Sequence, residues 1–278
     1  MPHLHKALTL AATLNPMFGL FSKNNNNVCP LDQEMRLWME NAFLWLATQF
    51  GQATILSKKV LAPTPQDFPI RYDGSHTSLI KTAEIVASQM EINLDEINLQ
   101  TYDENIKAFD GGMGHRMFTE VDKDSKEKLA AGLYFGKNKN GKYDIFIEQQ
   151  NLSQPENLVA TLAHEFAHIK ILGEERLEFN DELLTDLATV VFGLGIFNAN
   201  ASFRFYQGFD SWGHNSVGYL KQQEWGYALA LYAYYREEKS PSWLKHLTKN
   251  IQSDYKRSDS FIYANQDKVF IEEYQGGC

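Results

Sequence analysis

The chain has almost no cysteine. Of its 278 residues only Cys29 and Cys278 are thiols. Two, near the two ends, do not frame a disulfide scaffold, and neither is placed like a catalytic nucleophile. Positive charge is also short: 26 Lys and Arg against 35 Asp and Glu leave a net charge of −9. That balance argues against nonspecific nucleic-acid binding, and no basic run resembles a phosphate-tracking patch. No apolar run is long enough to span a bilayer. Leu187 to Phe197 is too short and directly follows carboxylates, so it reads as a core helix. A signal peptide would need a basic start and a cleavage site. The apolar run Ala7 to Leu14 has only Lys6 before it and no clear Ala-x-Ala after it. With the polar tract Asn24 to Asn27 it reads as a loosely packed arm and linker within residues 1–30. The cytoplasm is then the default placement, and export through a dedicated secretion system would leave no mark in the sequence. The oligomeric state is not legible.

What is present is the composition of a folded chain, 44% hydrophobic and 22% charged. Residues 31–278 are expected to form one domain, with a sheet-containing part over 31–152 and a mainly helical part over 153–278. Helical periodicity runs from Leu31 to Phe50 and stops at Gly51. Ser78 to Met90 reads as another helix and Ile97 to Tyr102 as a short strand. Tyr219 to Glu238 reads as a long aromatic-rich helix that Ser240-Pro241 breaks, with Trp243 starting the next. These elements fit a mixed α+β class.

The segment His164-Glu165-Phe166-Ala167-His168 carries the chemistry. It falls inside an amphipathic stretch, Leu158 to Leu172, whose apolar residues Leu158, Leu162, Phe166 and Ile169 should face the core. Ser153-Gln154-Pro155-Glu156 fits a capping box at its start, and Gly173 offers a left-handed stop. Histidines four apart share a helix face, so both imidazoles can address one metal ion, while the Glu165 carboxylate can reach a water beside it. This HExxH spacing suits zinc.

Upstream, Leu129 to Phe135 and Tyr143 to Glu148 read as two strands joined by a turn cluster containing Asn140-Gly141, a hairpin. Downstream, Glu182 to Phe197 reads as a second helix with Glu182 and Asp186 on one face. Two carboxylates on an otherwise apolar helix are costly unless paired, protonated or metal-bound. A catalytic zinc takes three protein ligands and an open position, so either Glu182 or Asp186 is expected as the third. Glu174, Glu175 and Glu178 read as a solvated loop. Between the later helices, Ala201 to Gly218 holds Tyr206, Trp212 and His214. His214 could serve as an oxyanion donor, but a lone loop histidine is more often simply exposed or hydrogen-bonded, and Tyr206, Tyr219 and Tyr227 read no differently from core aromatics.

The helix pair, about residues 153 to 198, with the preceding hairpin resembles the gluzincin group of HExxH metallopeptidases. The chain is also similar to a set of bacterial HExxH proteins that share this helix pair and a Trp225-Gly226-Tyr227-Ala228-Leu229-Ala230-Leu231 segment. The gluzincin resemblance implies a zincin-like fold, a Zn(2+) cofactor held by His164, His168 and Glu182, and Asp186 bonded to a ligand histidine. It implies Glu165 as general base in hydrolysis of a peptide or protein substrate. The loop between His168 and Glu182 is shorter than in many members, which leaves the choice between Glu182 and Asp186 open. The alternative function is a catalytically silent, zinc-stabilised binding or regulatory module. An intact Glu165 favours the enzyme.

Overall fold

The computed structural model describes residues 28–102, 106–110, 116–120, 131–206 and 220–271, the backbone path alone being described over 106–110, 116–120 and 203–206. Of the expected features, residues 1–27 of the arm and linker, Trp212, His214, Tyr219, Cys278 and the side chain of Tyr206 lie outside them.

Helix α1 (Gln33–Phe50) starts at Asp32, whose carboxylate accepts from Met35 N at 2.8 Å, and ends at Gly51 with φ 86°. That left-handed geometry carries little penalty only for glycine. Its buried residues Arg36, Met39, Glu40, Phe43, Leu46 and Ala47 follow the helical repeat. Short α2 (Gln52–Ser57) and then α3 (His76–Gln89) follow, the latter capped by Ser75.

A three-stranded sheet comes next. Strand β1 (Ile97–Tyr102) pairs in parallel with β5 (Tyr143–Glu148), which pairs antiparallel with β4 (Gly132–Lys137). The sheet order is therefore β1-β5-β4, and among the described residues β4 is an edge. Between β1 and β4 in the chain, β2 (Ile106–Asp110) and β3 (Arg116–Glu120) form a separate antiparallel ribbon. The β4–β5 hairpin turns at Gly141, φ 74°, and Asn138 accepts from the backbone N–H groups of Asn140 and Lys142. Strand β5 alternates buried and half-buried residues, with Tyr143, Ile145 and Ile147 facing inward.

Helix α4 (Pro155–His168) is the hub. It packs against α3, β4, α5 (Glu182–Val191) and α6 (Gly195–Tyr206), and every residue from Asn157 to His168 is buried. Helices α7 (Gln222–Tyr235) and α8 (Lys249–Ala264) close the structure as a packed pair. The architecture is mixed α+β, eight α-helices and a small sheet among the described residues. No helix among them is long and apolar enough to cross a membrane.

Three local expectations are corrected. The capping box before α4 does not form: the helix starts at Pro155 after Gln154, and the Ser153 hydroxyl donates to Gln150 O at 2.7 Å instead. A 3-10 turn over Gln149–Ser153 has already claimed that serine. Gly173 is not a left-handed stop, because the helix runs on through a π turn, Ile169–Gly173. Its lack of a side chain serves packing, since a Cβ there would meet the Tyr143 ring at 2.7 Å. The left-handed residue is Glu175, φ 56°. Finally, the stretch Glu182 to Phe197 is two helices, broken at Gly193 with φ 76°. An apolar run that is buried on all sides carries no periodicity to mark such a break.

Candidate metal centre

Helix α4 presents His164, Glu165 and His168 near its C-terminal end, all at 5% exposure or less. The chain must then return within a few residues to bring α5 alongside. The π turn starts that reversal, with Glu174 N donating to Ile169 O at 2.8 Å. The loop is braced from three sides. Tyr143 donates its hydroxyl to Gly173 O at 2.8 Å, Arg176 donates to Gln49 O at 3.0 Å, and Glu174 pairs with both Lys170 and Arg176. Asp181 caps α5 by accepting from Leu184 N at 3.0 Å, so Glu182 sits in the first turn.

Glu182 and Asp186 face different edges of the imidazoles. Glu182 Oε2 lies 3.1 Å from His164 Nε2 and 3.4 Å from His168 Nε2. Asp186 is fully buried and its Oδ1 lies 2.9 Å from His164 Nδ1, while its Oδ2 accepts from Leu220 N at 2.9 Å. The two rings meet nearly perpendicular, centroids 4.9 Å apart. The ligand atoms of His164, His168 and Glu182 all lie within 4.8 Å of one another, a group that can hold a metal ion.

The electrostatics follow from this arrangement. A neutral imidazole has one N–H, yet His164 faces a carboxylate oxygen at each nitrogen. Burial opposes its charge, but hydrogen bonds to Asp186 and Glu182 outweigh burial and hold its pKa well above 6.5. Glu182 is the counterpart. Burial raises its pKa, and bonds to the two histidines overcome that and hold it well below 4.5. A divalent cation between Nε2 and Oε2 would take the place of the shared proton.

Several participants carried no sequence signal. Thr185 Oγ1 lies 3.5 Å from His168 Nδ1 and donates to Asp181 O at 2.9 Å, so it can accept the imidazole N–H. Asn180 donates to Glu182 Oε1 at 2.8 Å. Tyr134 of β4 stacks on His168, centroids 5.5 Å apart and planes 18° from parallel. Its hydroxyl is pushed far up in pKa by burial. Only its place in a run of aromatic and apolar residues that reads as a strand pointed at Tyr134, and backbone N–H donors such as Leu220 have no side-chain signature. Of the two readings open for Tyr227, the structure gives the core residue: it is fully buried and donates to Glu40 Oε1 at 2.6 Å. Glu174, Glu175 and Glu178 are exposed, as a solvated loop should be.

Comparison with protein-family models, curated proteins and solved structures finds no match to this chain.

Proposed function

We propose that the chain is a zinc-dependent metallopeptidase of gluzincin type with a zincin-like arrangement of edge strand, HExxH helix and glutamate helix. The observation that carries this reading is the single Glu182 oxygen set against the Nε2 atoms of both histidines. Tetrahedral zinc with bonds of about 2.1 Å has ligand atoms roughly 3.4 Å apart, which the 3.1 and 3.4 Å separations match. Among the described residues two imidazoles and one carboxylate make up the group, which leaves the fourth position open as catalytic sites require, whereas structural sites favour thiolates and fill all four.

Bound there, zinc would supply Lewis acidity toward water and toward a peptide carbonyl. The protein's own groups do the rest. Asp186 accepts from His164 Nδ1 and Thr185 stands beside His168 Nδ1, which turns both Nε2 lone pairs toward the same point. Glu165, on the same helix, takes the proton as water attacks and delivers it to the leaving amine. The edge of β4 offers backbone groups to an extended peptide or protein substrate.

The test is cleavage of a diverse peptide library by the wild type and by Glu165→Gln, with zinc measured in both. Wild type should cleave; Glu165→Gln should keep about one zinc per chain and lose at least roughly 100-fold in turnover. A zinc-loaded wild type that cleaves nothing would favour the silent binding module.

A further inference from the structure

Gly132 opens β4 where that edge strand passes over α4. A Cβ on it would lie 2.5 Å from Thr161 Cγ2 and 2.8 Å from both Cγ and Oε1 of Glu165. The bare backbone of the strand is therefore packed along the Glu165 side chain. Thr161 precedes Glu165 by one turn on the same helix face. It cannot easily give way, because it is buried, its Oγ1 accepts from Asn151 Nδ2 at 2.7 Å, and a β-branched side chain has few rotamers in a helix. The strand is fixed too: Gly132 pairs with Ile147, and Glu148 N donates to Ala131 O at 3.0 Å. Farther along the same strand, the Cβ position of Gly136 meets nothing within 4 Å. The crowding belongs to the place opposite Glu165, not to β4 as a whole.

We propose that Gly132 is a positioning residue for Glu165. Its missing side chain lets β4 close onto α4 and form one wall of the slot in which the Glu165 carboxylate is held beside the metal cluster. This rests on the reading of Glu165 as the base of a metal-dependent hydrolase. A methyl group at 132 must displace either that carboxylate or the strand. Misplacing a reacting group by about 1 Å costs on the order of 100-fold in rate. The histidines, held from the other side by Asp186, Thr185 and Glu182, keep their places.

The experiment compares full-length, metal-loaded Gly132→Ala, Gly136→Ala and Gly132→Ala/Thr161→Ser with the wild type. Gly132→Ala should bind zinc within about threefold of wild type and lose roughly 10- to 100-fold in kcat with KM nearly unchanged. Gly136→Ala should match the wild type throughout. Thr161→Ser removes the closest clash, so the double variant should regain stability yet keep the low kcat; it also carries the measurement if Gly132→Ala does not fold. Full recovery of kcat in the double variant would overturn the proposal, as would wild-type kcat in Gly132→Ala or zinc affinity falling in step with kcat. A second readout needs no turnover: the pH midpoint of the visible spectrum of the cobalt-loaded protein. It should shift in Gly132→Ala in the direction that Glu165→Gln shifts it. If no peptide is cleaved even by the wild type, the peptidase reading fails and the cobalt midpoint alone decides on Gly132, an unmoved midpoint overturning it.

Discussion

Glu182 and Asp186 stand one helical turn apart and address opposite nitrogens of His164, and that division of labour predicts different losses. Glu182→Ala should abolish zinc binding. Asp186→Asn should retain it with affinity lowered roughly ten- to a hundredfold, because the amide no longer fixes the tautomer as firmly. Metal titration of the two variants checks this, and a reversed order would mean that Asp186 is the ligand. The same residues set the acid–base behaviour of protein stripped of metal by a chelator. His164 has a raised pKa, so its contribution to stability is full below 6.5 and lost as pH rises through the folded value. Glu182 has a lowered pKa, so its contribution is present above 4.5 and lost as pH falls toward the folded value. Chelated protein should therefore gain most from this pair between about pH 4.5 and 6.5. His164→Gln should remove that gain in chemical denaturation measured across pH.

At the scale of elements, periodicity found the members and missed the joints. The repeat of Leu158, Leu162 and Phe166 placed α4, and Gly51 marked the end of α1, because apolar spacing and left-handed glycine are local properties. The hairpin was legible from Asn140-Gly141 and its flanking strands. The HExxH spacing exposed both histidines and Glu165, and the i, i+4 carboxylates exposed Glu182 and Asp186. Their assembly was not legible, since it depends on the π turn and on the Tyr143, Arg176 and Gln49 brace, which are contacts between residues distant in sequence. The break at Gly193 was hidden for another reason. Its neighbours are buried on every face, and the requirement for glycine comes from outside the helix: a Cβ there would run into the Lys59 carbonyl oxygen, while φ is 76°. Gly193→Ala should accordingly cost at least about 2 kcal/mol of unfolding free energy. A denaturant midpoint equal to wild type would show that the α5–α6 joint is not constrained in this way.

Across the whole molecule, two of the buried polar networks are built around carboxylates that join distant helices. One ties α1 to α7 and the C-terminal stretch: Glu40 accepts from Arg36, from Tyr227 and from Phe270 N at 3.3, 2.6 and 3.0 Å. It has no histidine and no second carboxylate facing it among those bonds, and it reads as scaffold. The other is the cluster of α4 and α5, where two imidazoles and two carboxylates are drawn out of water together. Their mutual hydrogen bonds offset part of that desolvation cost, and a metal ion bound between them would offset more. The most direct check is X-ray diffraction from zinc-loaded crystals on both sides of the zinc absorption edge. One anomalous peak should appear about 2.1 Å from His164 Nε2, His168 Nε2 and a Glu182 oxygen, with Asp186 still on His164 Nδ1. No peak at that position, or a zinc ion held by other residues, would contradict the account.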